Sequence, residues 1–271
     1  MTAIYSRPIT TDLNHIGSIV AAYRQAGLTA PTLGTDIQQK IQSAPTAAQV
    51  ARKLAEAALH TDDVDAWHAD ALEKIKEAQA ADALRKEFNA IYPHVIREAT
   101  PGYLEDAAKD LRAPFEKLVK AFTQAVGKLP AGADALNAEA VIAADAGAAL
   151  TTVRDCLARF KAYAGIFRSQ TASPGYPSDL NTLLPLVDLP VPVVEQVRGM
   201  GNETANESQL EQTRAIRKLA ADIRRIGADL VLIGIARGEY GKAALKLATV
   251  ETLEQRSENA AQAHARERVA L

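Results

Sequence analysis

An all-α fold of long antiparallel helices, forming a bundle or helical hairpins, is what this sequence predicts, and three observations carry that expectation. Apolar residues occupy 48% of the 271 positions but aromatic residues only 5%, and alanine, the strongest helix former, supplies much of the apolar share. Long stretches lack both proline and glycine. Apolar side chains recur at steps of three and four, the period of an amphipathic helix. Alanine-rich helices form readily but bury little area per contact, at roughly 25 cal/mol per Å². Close packing of long helices, within the chain or against a partner, is therefore expected.

The chain divides by composition into four parts. Residues 1–60 form an N-terminal arm or small helical subdomain, in which Thr11 or Asp12 caps a helix that runs to Gly27, a residue suited to a C-cap. Short helices follow at about Asp36–Gln42 and Thr46–Leu59, separated by Ser43-Ala44-Pro45. Residues 61–168 form a long-helix bundle. Its first helix spans Asp62 to about Glu98, with Leu84, Phe88, Ile91 and Val95 at 4-3-4 spacing and a kink at Pro93. Thr100-Pro101-Gly102 breaks the chain. A heptad seam then runs through Leu104, Ala108, Leu111, Phe115, Leu118, Phe122 and Ala125, with Pro114 bending or restarting the helix. A third long helix covers Ala135 to Arg168.

Residues 169–207 differ from the rest. Five of the chain's 12 prolines fall here, and the charges are almost all acidic. At the centre lies PLVDLPVPVV, Pro185–Val194, in which the prolines remove backbone donors and hold the chain extended while the intervening residues are almost all aliphatic. Such a strap is already stiff, so it loses little entropy when it lies in a groove between helices. The groove belongs either to its own chain or to another subunit. Leu186, Val187, Leu189, Val191 and Val193 are the partner-binding candidates. Residues 208–271 form a C-terminal helical region with a seam through Ile216, Leu219, Ile223, Ile226, Leu230 and Ile233, interrupted at Gly238 and Gly241 and resuming through Leu245, Val250 and Leu253.

Several function classes lose support. A net charge of −2 with mixed signs advertises neither nucleic acid nor an anionic membrane. The single cysteine, Cys156, excludes a disulfide framework and a cysteine-based zinc cluster. No apolar run approaches the roughly 20 residues of a spanning helix. The N-terminus has no secretory h-region, so a cytoplasmic location, or one within an assembled particle, is expected. Phosphate-binding glycine loops and the G-x-S-x-G elbow are absent.

Two clusters carry alternative chemistry. Arg214, Arg217, Lys218, Arg224 and Arg225 form a basic helix face able to follow phosphates or to meet an acidic partner; a solvated flank is the plainer reading. Asp65 and His68 sit three apart on one face, half of a carboxylate-bridged dimetal motif whose second Glu-x-x-His does not occur. Asp62 and Asp63 are better placed to cap the helix, and no metal site or cofactor is expected. Cys156 reads as a packed core thiol and Trp67 as an anchor within the bundle.

Together these features predict a non-enzymatic structural or assembly protein that self-associates or docks on a protein partner, with no membrane attachment. By architecture alone, components and assembly factors of viral particles fit this description. A nucleic-acid-associated helical protein and a metal-dependent bundle enzyme are the alternatives.

Overall fold

A computed structural model of the chain describes residues 9–32, 34–167, 180–192 and 207–264. It is all-α. The helices are α1 (Ile9–Ala26), α2 (Thr35–Ser43), α3 (Ala47–Ala58), α4 (Val64–Asp110), α5 (Arg112–Val126), α6 (Ala138–Ala143), α7 (Gly147–Gly165), α8 (Glu207–Ile226), α9 (Ala228–Ala236) and α10 (Val250–His264). Two-residue strands β1 (Val187–Asp188) and β2 (Ala244–Leu245) pair antiparallel, with Val187 opposite Leu245 and Asp188 opposite Ala244. The chain forms two compact units. Unit 1 comprises Met1–Leu13 with Pro31–Thr100, and unit 2 comprises Asn14–Ala30 with Pro101–Leu271.

Within unit 1, short-range signals set the ends of the elements. Thr46 and Gln49 form a reciprocal capping box at the start of α3, satisfying two backbone donors that a helix start leaves bare. Asp63 accepts from Ala66 N–H at 3.0 Å and caps α4. Arg85, on α4, ties α2 down: its guanidinium donates to the carbonyls of Ile41, at 3.2 Å, and Ala44, which lie where a helix end presents unpaired acceptors. Asp82 accepts from Ala47 N–H at 2.8 Å, and Gln42 donates to Asn89 at 2.7 Å. The Phe88 and Tyr92 rings stack at 4.8 Å.

Unit 2 has a denser centre. Antiparallel helices α5 and α7 interleave Phe115 and Phe122 with Phe160 and Tyr163, at ring separations of 5.1–5.5 Å and tilted or edge-on angles. All seven residues of the seam from Leu104 to Ala125 are buried. At the far end of α5, Arg237 Nη2 donates to the carbonyls of Val126, Leu129 and Pro130 at 3.3, 3.0 and 2.6 Å. One guanidinium thus collects acceptors that the helix has released.

The expected breaks move in four places. Thr100-Pro101-Gly102 does not end α4, which continues to Asp110; Leu104, Ala107 and Ala108 just beyond it are buried in the core of unit 2, and that packing outweighs the hydrogen bond the proline omits. The break comes at Leu111, and Pro114 falls in the first turn of α5, where its missing N–H would have had no intrahelical partner. The helix expected from Ala135 to Arg168 is split into a 3₁₀ turn at Gly132–Leu136, α6 and α7. Asn137 caps α6 through bonds to Glu139 and Ala140 N–H, and Asp145 takes φ 51°, a left-handed conformation that short polar side chains tolerate.

The C-terminal seam is likewise cut, at Gly227 (φ 86°, ψ 159°). Leu245 lies in β2, and helix resumes only at Val250. Residues 168–179 and 193–206 of the Pro-rich stretch lie outside the described residues.

Two glycine replacements should act with opposite signs. No neighbouring atom lies within 4 Å of a Cβ added at Gly227 or at Gly102, so backbone conformation alone decides. Gly227→Ala should destabilise the fold by about 1–3 kcal/mol because its dihedrals are essentially restricted to glycine. Gly102→Ala, at an exposed interior position of α4, should stabilise it by about 0.5–1 kcal/mol. Urea unfolding of both variants checks the pair.

Candidate functional site

The strap closes on its own chain. Leu186, Val187 and Leu189 are buried in the core of unit 2, so three of the side chains expected to meet a partner are taken up internally. Val191 is exposed, and Val193 lies outside the described residues. Proline removes a donor but leaves its carbonyl, and the C-terminal segment supplies what the strap lacks: Ala248 N–H donates to Pro185 O and Lys246 N–H to Leu186 O, both at 2.8 Å.

Arg256, on α10, locks this arrangement. Only 2% exposed, its Nη1 donates to Leu184 O at 2.9 Å and Lys246 O at 3.0 Å, while its Nε lies 3.4 Å from Asp188 Oδ1. Lys246 Nζ approaches the other Asp188 oxygen at 3.2 Å. Burial pushes the Arg256 pKa down and the Asp188 carboxylate opposes that shift; a guanidinium stays charged in either case. A buried cation with one nearby counter-ion is a structural clasp.

Arg217, Lys218 and Arg225 of α8 make bonds within the fold, while four of its five cations stay exposed. Arg217 Nε donates to Ala263 O at 2.8 Å, at the end of α10. Lys218 Nζ bonds Glu239 O at 3.3 Å and lies 4.9 Å from the centre of the Tyr240 ring. Arg225 pairs with Asp222 at 2.9 Å, whose other oxygen accepts from the Tyr240 hydroxyl at 3.1 Å. Burial, then this bond, pushes the Tyr240 hydroxyl well above its ordinary pKa. Arg214 and Arg224 are exposed. Arg214, Lys218 and Arg225 remain at the surface on one side of α8, with Lys218 and Arg225 each also bonded to an acceptor of their own chain.

Asp65 and His68 are both exposed. Among the described residues no group of three or more His, Cys, Asp or Glu is placed to hold a metal ion. Cys156 is buried, and burial raises its thiol pKa against the lowering influence of Arg159. It forms part of a cavity of about 490 Å³ between α5, α7 and the end of α1, with Leu118, Ala121 and Tyr163 beside it and Lys117, Asp155 and Arg159 at its edge. That cavity's lining contains no histidine and a single carboxylate, Asp155.

Unit 1 presents the feature that the sequence did not announce. Of the ten large apolar side chains exposed among the described residues, seven belong to it: Ile37, Leu59, Val64, Leu72, Leu84, Ile91 and Val95. Helix α3 buries no residue at all. The spacing of Leu84, Phe88, Ile91 and Val95 resembles that of the seam in α5, yet Leu84, Ile91 and Val95 are 58%, 56% and 52% exposed, with Phe88 half-buried against Tyr92. The spacing was expected to mark one long helix of the bundle. The buried contacts of α4 in unit 1 lie on another of its faces, through Ala71, Ala78, Tyr92 and Ile96, and no other described helix of unit 1 covers this stripe.

Among known proteins, no family model, curated sequence or solved structure matches the chain.

The clasp gives a graded prediction. Asp188→Ala should cost about 1–3 kcal/mol, because it strands a buried guanidinium. Lys246→Ala should cost under about 1 kcal/mol, since that side chain is largely exposed and surface pairs contribute little. Chemical denaturation of the two variants should rank them in that order.

Proposed function

We propose that this chain is a non-enzymatic helical assembly protein, in which unit 1 carries the surface for self-association and unit 2 is a closed, self-sufficient core. One observation supports this reading above the others: the concentration of exposed apolar side chains in unit 1, with the stripe from Leu84 to Val95 on α4 uncovered. Single exposed apolar residues are ordinary, but a contiguous row on one helix marks a surface that a partner covers.

Magnitudes set the expected strength. Each of these side chains would gain roughly 1–2 kcal/mol from losing its remaining exposure. Association costs roughly 4–15 kcal/mol in lost translational and rotational freedom. Three or four residues per copy therefore yield a concentration-dependent equilibrium, while burial of the further residues Ile37, Leu59, Val64 and Leu72 would give a permanent assembly.

The burial of Leu186, Val187 and Leu189 within unit 2 removes the strap as the natural interface and moves the expectation to unit 1. Light scattering coupled to size exclusion, from micromolar to near-millimolar protein, is the direct test. The intact chain should pass from monomer to a defined oligomer or remain oligomeric throughout. A chain that stays monomeric over the whole range would sink the reading.

A further inference from the structure

The uncovered face of α4 has a property that selects its occupant. At 100° per residue, Leu84, Ile91 and Val95 lie within an arc of about 40°, roughly a third of a turn from the side that buries Ala71, Ala78 and Tyr92. With Phe88 they are spaced 4, 3 and 4, an order that reads the same in both directions. A second copy of the helix laid against the first in the opposite sense sets Leu84 opposite Val95 and Phe88 opposite Ile91, twice over, about a two-fold axis between residues 89 and 90. Such a contact is isologous: the same patch serves both copies.

The flanks distinguish the two possible directions. Glu87 and His94, both exposed, border the stripe on one side; Ala81 and Ala99, both half-buried, border it on the other. In an antiparallel pair like flanks meet, and in a parallel pair unlike flanks meet. Antiparallel pairing therefore brings the Glu87 carboxylate of one copy to the His94 imidazole of the other, a hydrogen-bonding acceptor and donor, and brings Ala81 to Ala99, where small side chains allow close approach. Parallel pairing would set Glu87 against the alanine and Phe88 side, desolvating a carboxylate without a partner, which is costly.

We propose that Leu84, Phe88, Ile91 and Val95 form the interface of an antiparallel, two-fold pairing with a second copy of this chain. It rests on the self-association reading above and names the surface and geometry. The test uses the full chain. Ile91→Asp should weaken association by more than about tenfold in light scattering, with helical circular dichroism unchanged because the side chain is exposed. Glu87→Cys and His94→Cys, mixed and oxidised with diamide, should give a covalent mixed dimer in clear excess over the self-linked product of either variant alone; the buried Cys156 stays in place as background.

An intact-chain oligomer that Ile91→Asp leaves unchanged, or cysteine variants that link to themselves in preference to each other, overturns this pairing while leaving the assembly reading standing. A chain that is monomeric throughout overturns both.

Discussion

Where α5 crosses α7, Phe115 and Phe122 interlock with Phe160 and Tyr163, and the rest of unit 2 depends on that contact. The chain has five phenylalanines among 271 residues, and four of them, Phe115, Phe122, Phe160 and Phe167, are buried in this core. Each aromatic ring buries on the order of 150–250 Å², and edge-on pairs gain something beyond area. In a chain whose apolar positions are so often alanine, the large side chains decide where a stable core is possible. Unit 2 received them. Unit 1 buries mainly Ala71, Ala78, Tyr92 and Ile96, and it holds α2 and α3 against α4 largely through polar ties from Arg85, Asp82 and Asn89.

Arginine does much of the long-range joining in unit 2. Arg237 gathers three carbonyls beyond the end of α5, Arg217 reaches the end of α10, and Arg256 bridges the strap to the C-terminal segment. A guanidinium offers several donors in a fixed plane, so one side chain can satisfy acceptors that helix ends and proline-rich backbone leave unpaired. The strap is a consequence of the same chemistry. Its prolines supply carbonyls without matching donors, and β2 with the residues after it supplies the donors. The aromatic core of unit 2 and the open apolar stripe of unit 1 are thus two results of one uneven distribution of side chains.

The local features of this chain were legible in its sequence because their causes are local. The helical class follows from alanine content and the three-four period; the helix start at Thr46, the helix end at Gly27 and the interruptions at Gly238 and Gly241 follow from backbone preferences within a few residues. The residues from Leu104 to Ala125 were read as a heptad seam, and all seven are buried. Asn137 and Asp145 signalled the split into α6 and α7, a cap and a left-handed residue that the apolar periodicity around them masked.

Periodicity by itself determined which residues share a helix face; it did not determine whether that face is covered. The stripe from Leu84 to Val95 and the seam from Leu104 to Ala125 carry the same spacing, yet one is exposed and the other is core, because cover depends on how many helices the tertiary fold brings to each face. The same limit applied to the strap, whose aliphatic residues required a groove that only the fold could assign to its own chain. It applied also to Arg217, Lys218 and Arg256, whose acceptors lie 46, 21 and 72 residues away in sequence. Local composition fixed the helices, and the tertiary structure decided which of their surfaces remained unpartnered, since burial is a property of neighbours that are distant along the chain.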